Sequence, residues 1–339
     1  MKQKQIKIVH IMGLDKFIVP FIDFLEANFN IDEHRFLFLH KPIYKYGMTP
    51  KMNVIWIDKQ YKVFKLLKYL YSADKIILHG FWSQDLAKLL YLQPWLIKKI
   101  YWAMWGGDFY FPEQQSQLKK KLIKRIKHFV TFIPGDYEYV KLKYGARGYY
   151  HECFMYPSNL YKDIKVLPKS TSTINILVGN SAMETNNHIE VFEKLYLYKS
   201  EDIIIYCPMS YGNENYAKFI ISKGYEMFGK KFKPLTEFLP FNEYVKFLSE
   251  IDIALFNHNR QQGMGNNITL LGLGKKVYMR SDTAQYRMFR ELGVKVFDID
   301  SEFNLEPIEE EIKKKNIEIM KSFFSEKRLK EQLYRFFGG

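Results

Sequence analysis

Residues 260–279, RQQGMGNNITLLGLGKKVYM, set an arginine, two glutamines, two glycines and two asparagines directly ahead of an apolar run. This mixture suits an anion. Gly263 and Gly265 let the backbone approach a ligand and reach positive φ. A helix starting behind them offers unpaired N–H groups and the positive end of its dipole to phosphate. Arg260 adds a full charge and a forked donor. Gln261 and Gln262 donate and accept without adding charge against a diphosphate. Asn266, Asn267 and Thr269 are placed to cap the helix or to bond a ligand hydroxyl. A lone G-x-G would equally describe an ordinary capped helix, but two further loops repeat the pattern. ILVGNSAMETNNHI (176–189) carries Gly179, Asn180 and Ser181 after a strand, and CPMSYGN (207–213) carries Tyr211. Three such loops at three strand ends are expected to converge on a nucleotide-diphosphate cradle, with Tyr211 available to stack a base.

The first half has its own polar strand ends. VHIMGLD holds His10 and Gly13, ILHGFW holds His79, and YWAMWGGDFY holds Trp105, Gly106, Gly107 and Asp108. A tryptophan beside a carboxylate fits a sugar, which presents an apolar ring face and hydroxyls. The alternative is a structural turn with the aspartate capping the next helix. Asp108 and His79 are the catalytic candidates, Asp108 positioning an acceptor hydroxyl or taking its proton. His10, Gly13, Trp105, Gly106 and Gly107 are the acceptor-binding candidates.

The elements that must hold these loops alternate along the chain. Short apolar runs at 6–12, 35–40, 53–58, 75–79, 100–105 and 128–133 read as strands, with helix-period segments between several of them. A segment with two prolines and several Ser and Thr interrupts the pattern, and alternation then resumes with strands near 174–180, 202–208, 252–256, 275–279 and 294–298. The expected organisation is a first Rossmann-like domain over 1–155, a linker over 156–172, a second Rossmann-like domain over 173–306 and a charged helical segment over 307–339. Two such α/β domains face a cleft, with ligands at the strand C-termini.

Composition narrows the classes. The chain has 339 residues and two cysteines, each inside an apolar run, which argues against a disulfide framework or a zinc site. The N-terminal run reads as a strand, not a signal peptide, and no stretch of about 18 uninterrupted apolar residues is present. Net charge is +14. Residues 1–156 hold 25 Lys and Arg against 13 Asp and Glu, and residues 157–339 hold 26 against 24. The basic half points to an anionic surface. No nucleic-acid motif accompanies it, and its cations sit on amphipathic helices, so nucleic acid is not the expected partner.

HIMGLD, LHGFW, YWAMWGGDFY, LVGNSAMETNNHI, PMSYGNEN and RQQGMG together resemble the TDP-N-acetylfucosamine:lipid II N-acetylfucosaminyltransferases, glycosyltransferase family 56, over roughly residues 8–280. The resemblance implies a GT-B fold with the donor nucleotide on the second domain and the acceptor on the first. It implies retaining transfer of a 4-acetamido-4,6-dideoxygalactose unit from a TDP donor to an undecaprenyl-diphosphate-linked saccharide at the cytoplasmic face of a bacterial inner membrane. It implies no metal cofactor. The acidic pair of other retaining GT-B enzymes is replaced here by Gln262 and Leu270, and SDTAQY (281–286) stands where the family tends to carry a Pro-Phe-Trp cluster. A GT-B transferase with a UDP or GDP donor is the alternative, and behind it a nucleic-acid or glycolipid binding protein. For a lipid-linked acceptor, QLKKKLIKRIKHF (117–129) reads as an interfacial helix. Leu118, Leu122 and Ile126 share one face, and Lys119, Lys120, Lys121, Lys124, Arg125 and Lys127 surround it as the contacts to an anionic membrane.

Overall fold

The computed structural model describes residues 7–40, 46–57, 62–164, 172–301 and 303–338. They form two compact units, one of Met1–Ser158 with Glu326–Gly339 and the other of Asn159–Ser325.

The first unit is built on a seven-stranded sheet in the order β3-β2-β1-β4-β5-β6-β7. The strands are β1 (Ile8–Met12), β2 (His34–Phe38), β3 (Val54–Trp56), β4 (Lys75–His79), β5 (Ile100–Ala103), β6 (His128–Thr131) and β7 (Tyr149–Glu152), all paired in parallel. The central strands read as continuous apolar runs because both faces are covered. Val9 and Ile11 enter a core shared with α2 (Val63–Ser72), α3 (Gln84–Leu92), α4 (Gln117–Ile123) and α5 (Pro134–Tyr144). His10, one residue out of phase, faces the other side, against Phe21 of α1 (Ile18–Asn28) and Phe337 of α12 (Glu326–Phe337). Phe21, Ile22 and Leu25 of α1 are fully buried, each contributing about 1.5–3 kcal/mol. The starts of α3 and α4 are set by side-chain caps, with Ser83 Oγ accepting from Leu86 N and Ser116 Oγ from Lys119 N. Gly145, at φ 67°, ends α5 by donating to Lys141 O.

The second unit carries a six-stranded sheet in the order β10-β9-β8-β11-β12-β13. Its strands are β8 (Ile174–Val178), β9 (Ile203–Pro208), β10 (Phe232–Leu235), β11 (Ile253–Phe256), β12 (Lys276–Met279) and β13 (Phe297–Asp298). Its helices are α6 (His188–Tyr196), α7 (Glu214–Phe228), α8 (Phe241–Glu250), α9 (Met264–Gly272), α10 (Ala284–Glu291) and α11 (Glu310–Phe323). In both sheets the strand order reverses beside the first strand, between β1 and β4 and between β8 and β11. Doubly wound sheets hold ligands at that crevice.

Three details differ from the sequence expectations. The edge strands β7 and β10 carry exposed or proline-containing sequences, YYHE and FKPL, without an apolar run to announce them. The 117–129 segment is helical only over Gln117–Ile123, and the chain then turns into β6. The segment 307–339 holds two helices in different units, α11 in the second and α12 in the first. Of the expected linker, residues 165–171 lie outside the described residues. Its first residue, Tyr156, is buried in the first unit.

Candidate active site

In the second unit the loops after β8, β9 and β11 meet because their strands are neighbours. Backbone bonds join the first two, with Ala182 N donating to Tyr211 O at 2.8 Å and Asn213 N donating to Ala182 O at 2.8 Å. Side chains join the first to the third. Gln262 Nε2 donates to Asn180 Oδ1 at 2.9 Å and to Ser181 Oγ at 3.5 Å, while Thr185 Oγ1 donates to Gln262 Oε1 at 2.7 Å. Asn180 Nδ2 reaches the Tyr211 hydroxyl at 3.1 Å. Gly179, at φ 66°, is required by this packing, since a Cβ there would lie 2.7 Å from His188 Nε2 and 2.8 Å from Asn186 Oδ1.

The expected donor residues divide into two groups. Asn180, Ser181, Gln262, Asn267 and Thr269 are buried, and each makes at least one hydrogen bond within the protein. Thr269 Oγ1 donates to Gly265 O in its own helix at 2.8 Å, and Asn267 Nδ2 reaches Gln262 O at 3.4 Å. The sequence expectation that Gln262 and Thr269 touch ligand is therefore corrected: they are struts that shape the loops. Tyr211 is 41% exposed, and Arg260, Gln261, Gly263, Gly265 and Asn266 are half-buried at the loop surface. Gly263, at φ 67°, precedes the first turn of α9. Asn266 Nδ2 donates to Tyr244 OH at 2.9 Å. Buried polar atoms without a hydrogen-bond partner gather around these loops: His188 Nε2, Asn257 Oδ1, Gln261 Oε1, Asn267 Oδ1 and Gln285 Nε2. Such atoms are rare in ordinary cores.

In the first unit the C-terminal ends of β1, β4 and β5 carry an aromatic cluster over a chain of imidazoles. Phe17 lies 4.8 Å from both Trp105 and Tyr156, and Trp82, 53% exposed, lies 6.4 Å from Trp105. Beneath it, His34 Nδ1 pairs with His10 Nε2 at 2.9 Å, His10 Nδ1 with His79 Nε2 at 2.9 Å, and His79 Nδ1 with Tyr156 OH at 2.7 Å. Trp105 Nε1 donates to the same Tyr156 hydroxyl at 2.8 Å. Burial holds all three rings neutral, with His34 lowered to about 4, His79 to about 3 and His10 well below its ordinary value. A neutral imidazole has one donor and one acceptor. The bonding pattern therefore forces one shared tautomer, all Nδ1–H or all Nε2–H.

Asp108 has no exposed surface. Its Oδ2 accepts from Phe81 N and Trp102 Nε1, both at 2.7 Å, and its Oδ1 from Trp105 N at 3.0 Å. Burial pushes its carboxyl upward, against the opposing pull of these bonds and of Lys119. Its role is to bind the β4 and β5 loops together and to hold Trp105, which corrects the expectation that it meets an acceptor hydroxyl. His79, 1% exposed with both nitrogens engaged, is likewise a support for Tyr156 and not a substrate-facing base. His10 is also fully buried. Of the acceptor candidates, Trp105, Gly107 and Gly13 retain access, Gly13 with open space around it, while Gly106 is a buried turn at φ 83°.

Residues 20–326 match the family described as 4-alpha-L-fucosyltransferase, glycosyl transferase group 56. The chain belongs to glycosyltransferase family 56. This family 56 chain is also similar in structure to a glycosyltransferase from Rickettsia africae, with a TM-score of 0.70, 10% identity and 98% of each chain covered. It is similar to HepE of Anabaena in complex with UDP and glucose, with a TM-score of 0.70, 13% identity, and 98% of this chain and 99% of that one covered. OtsA matches with a TM-score of 0.65 at 9% identity, over 98% of this chain and 99% of that one. The fold is GT-B, two Rossmann-like α/β domains, and the family 56 protein is a glycosyltransferase that uses a nucleotide-sugar donor.

In this family 56 enzyme, several site residues carry no sequence signal. Tyr156 sits in a proline-containing stretch that resembles a linker. His34 and His258, and Asn186 within 176–189 and Gln285 within 281–286, gain their roles only through partners brought near by the fold, such as Gln285 Oε1, which accepts from Gln262 N at 3.0 Å. Lys119 is corrected from the membrane set. It is 4% exposed, donates to Gln115 Oε1 at 2.7 Å and lies over the Phe81 ring at 5.5 Å. Leu122 and Ile126 face the core, so α4 has no free apolar face to lay on lipid. Among the described residues no helix is long and apolar enough to cross a membrane, and no group of three or more His, Cys, Asp or Glu is arranged to hold a metal ion.

Proposed function

We propose that the protein transfers a 4-acetamido-4,6-dideoxygalactosyl unit, with retention, from a TDP donor to an undecaprenyl-diphosphate-linked saccharide at the cytoplasmic face of a bacterial inner membrane. The match to family 56 across residues 20–326 carries this reading. The loops of the second unit hold the donor. Tyr211 stacks on the base, and the N–H groups at Gly263 and Gly265 and the Arg260 guanidinium stabilise charge as the diphosphate leaves. These groups supply the positive charge, so the reading assigns no metal cofactor. Gln261 and Asn266, at the loop surface, contact sugar or phosphate. The aromatic cluster of the first unit, Trp105 above all, receives the acceptor sugar by ring-face contact. In a front-face reaction the leaving phosphate takes the acceptor proton. That step agrees with Asp108 and His79 being engaged within the protein.

Thermal-shift titration against TDP, UDP, GDP and CDP, with and without magnesium, tests the donor. A ligand at about 100 times its Kd stabilises by about 2.7 kcal/mol, read as several degrees in Tm. The expected result is a selective shift with TDP, unchanged by magnesium. A shift with UDP or GDP alone would replace the donor and keep the enzyme class.

A further inference from the structure

The outer side of α2 and α3 in the first unit holds an unusual concentration of exposed apolar groups. Among the described residues, Val63, Phe64 and Tyr71 of α2, Tyr91 and Leu92 of α3 and Trp95 just beyond α3 are all exposed, more than the scattered apolar residues of an ordinary surface. Phe64, 81% exposed, and Tyr71, 45% exposed, stand seven residues apart and so share one stripe of α2. The Tyr71 hydroxyl accepts from the Trp95 indole N–H at 2.9 Å and donates to Gln93 Oε1. Trp95 is therefore held half-exposed with its polar edge satisfied, and Leu92, 70% exposed, lies beside it at the end of α3.

The charge around this stripe is mostly positive. From Lys62 to Gly107 the sequence has seven lysines and two acids, and one of those acids, Asp85, is paired with Lys88 at 3.3 Å. Lys65 and Lys68 are exposed on α2 itself. The adjoining α4 packs on α3, and the stretch between Glu113 and Asp136 contains no acid. Lys121, Lys124, Arg125 and Lys127 are exposed there, and Lys120 is half-buried. Half-exposed Trp and Tyr with satisfied polar edges, flanked by an excess of lysines over acids, match the headgroup layer of an anionic bilayer. A nucleic acid would call for stacking aromatics along a groove, and a second copy of a basic surface would repel itself.

We propose that the α2–α3 face is where the protein lies on an anionic bilayer. Phe64, Leu92 and Trp95 enter the headgroup layer, and Lys65, Lys68 and the exposed α4 cations pair with lipid phosphates. The lipid-linked acceptor proposed above supplies the purpose of this surface, while exposure and charge supply its location.

Flotation of the full chain with phosphatidylglycerol–phosphatidylethanolamine vesicles, and with phosphatidylcholine vesicles as the neutral control, tests it. The expected result is binding to the anionic vesicles only. Phe64→Ser with Leu92→Ser should weaken that binding at least about tenfold. Lys65→Glu with Lys68→Glu should weaken it about thirtyfold or more. Both variants should keep the wild-type Tm and nucleotide response, since the changed side chains are exposed. The proposal is overturned if both variants float like the wild type. Charge reversal at Lys121, Lys124 and Arg125 should weaken flotation as well, and the proposal is also overturned if that reversal abolishes flotation while Lys65→Glu with Lys68→Glu leaves it unchanged. Loss of self-association without a change in flotation would reassign the face to a second copy. The nucleotide titration is read separately, so a chain that floats but ignores TDP loses its donor and keeps this surface.

Discussion

Asp108 shows how the meaning of a residue changes between sequence and structure. A carboxylate after Trp-Gly-Gly at a strand end has the right type and place for catalysis, and both were legible. Its burial and its three donors were not, because two of them, Phe81 N and Trp102 Nε1, come from positions whose approach depends on the fold. Asp108→Asn would turn an NH2 group toward one of these donors. The expected cost is about 1–3 kcal/mol, several degrees in Tm, with turnover at saturating acceptor falling less than about tenfold. Removing a general base would instead cost about 10²–10⁴ in rate. A hundredfold loss of turnover at unchanged Tm would return Asp108 to the chemistry. Glycines, by contrast, announced themselves. Gly179, Gly263 and Gly212 sit at polar strand ends and adopt φ values of 66°, 67° and 121°.

At the scale of elements, the cradle depends on how tightly the β8 and β9 loops are tied. A Cβ on Gly212 would lie 2.4 Å from Ala182 O, against backbone that has no room to move without opening the bridge. Gly212→Ala is expected to weaken nucleotide binding at least about tenfold, since strain of about 1–3 kcal/mol falls on the tie itself. Gly229, at φ 54° with nothing within 4 Å of its would-be Cβ and placed at the end of α7, is the control. Its alanine variant should lose some stability and keep its nucleotide Kd. Calorimetric titration of both decides the matter, and equal affinities would mean the tie is dispensable. Central strands were legible as apolar runs because each is covered on both faces. The edge strands β7 and β10 were not, because half-exposed sequences carry no such run. The basic helix was expected to be long because 117–126 keeps a helical period, yet Ile126 is recruited to the core after the helix has ended.

Across the whole molecule, buried imidazoles set the response to acid. Burial keeps His10, His34 and His79 of the first unit, and His188 and His258 of the second, uncharged. His34 is lowered to about 4 and His79, His188 and His258 to about 3. In the unfolded chain they titrate near 6.5, so below that pH the unfolded state binds more protons than the folded one. The stability they contribute is complete above about pH 7. It falls as pH drops through 6.5, each imidazole steepening the loss by about 1.4 kcal/mol per pH unit until its folded value is reached. Urea melts from about pH 4.5 to 8 should show this decline, and equal stability at about pH 5 and 7.5 would contradict it. Two α/β halves were legible from alternation alone, but the allegiance of the last helix was not, since nothing in its amphipathic pattern names the sheet it covers. That allegiance bears on biosynthesis. α12 supplies Phe337 against His10 and His34, and Gln332 as acceptor for Phe154 N. The first unit therefore lacks this cover over His10 and His34 until residues 326–337, which follow the whole second unit in sequence, have been made. The imidazole chain waits, exposed on one side, while the other unit folds, and nascent chains stalled before codon 326 should be the ones that chaperones hold.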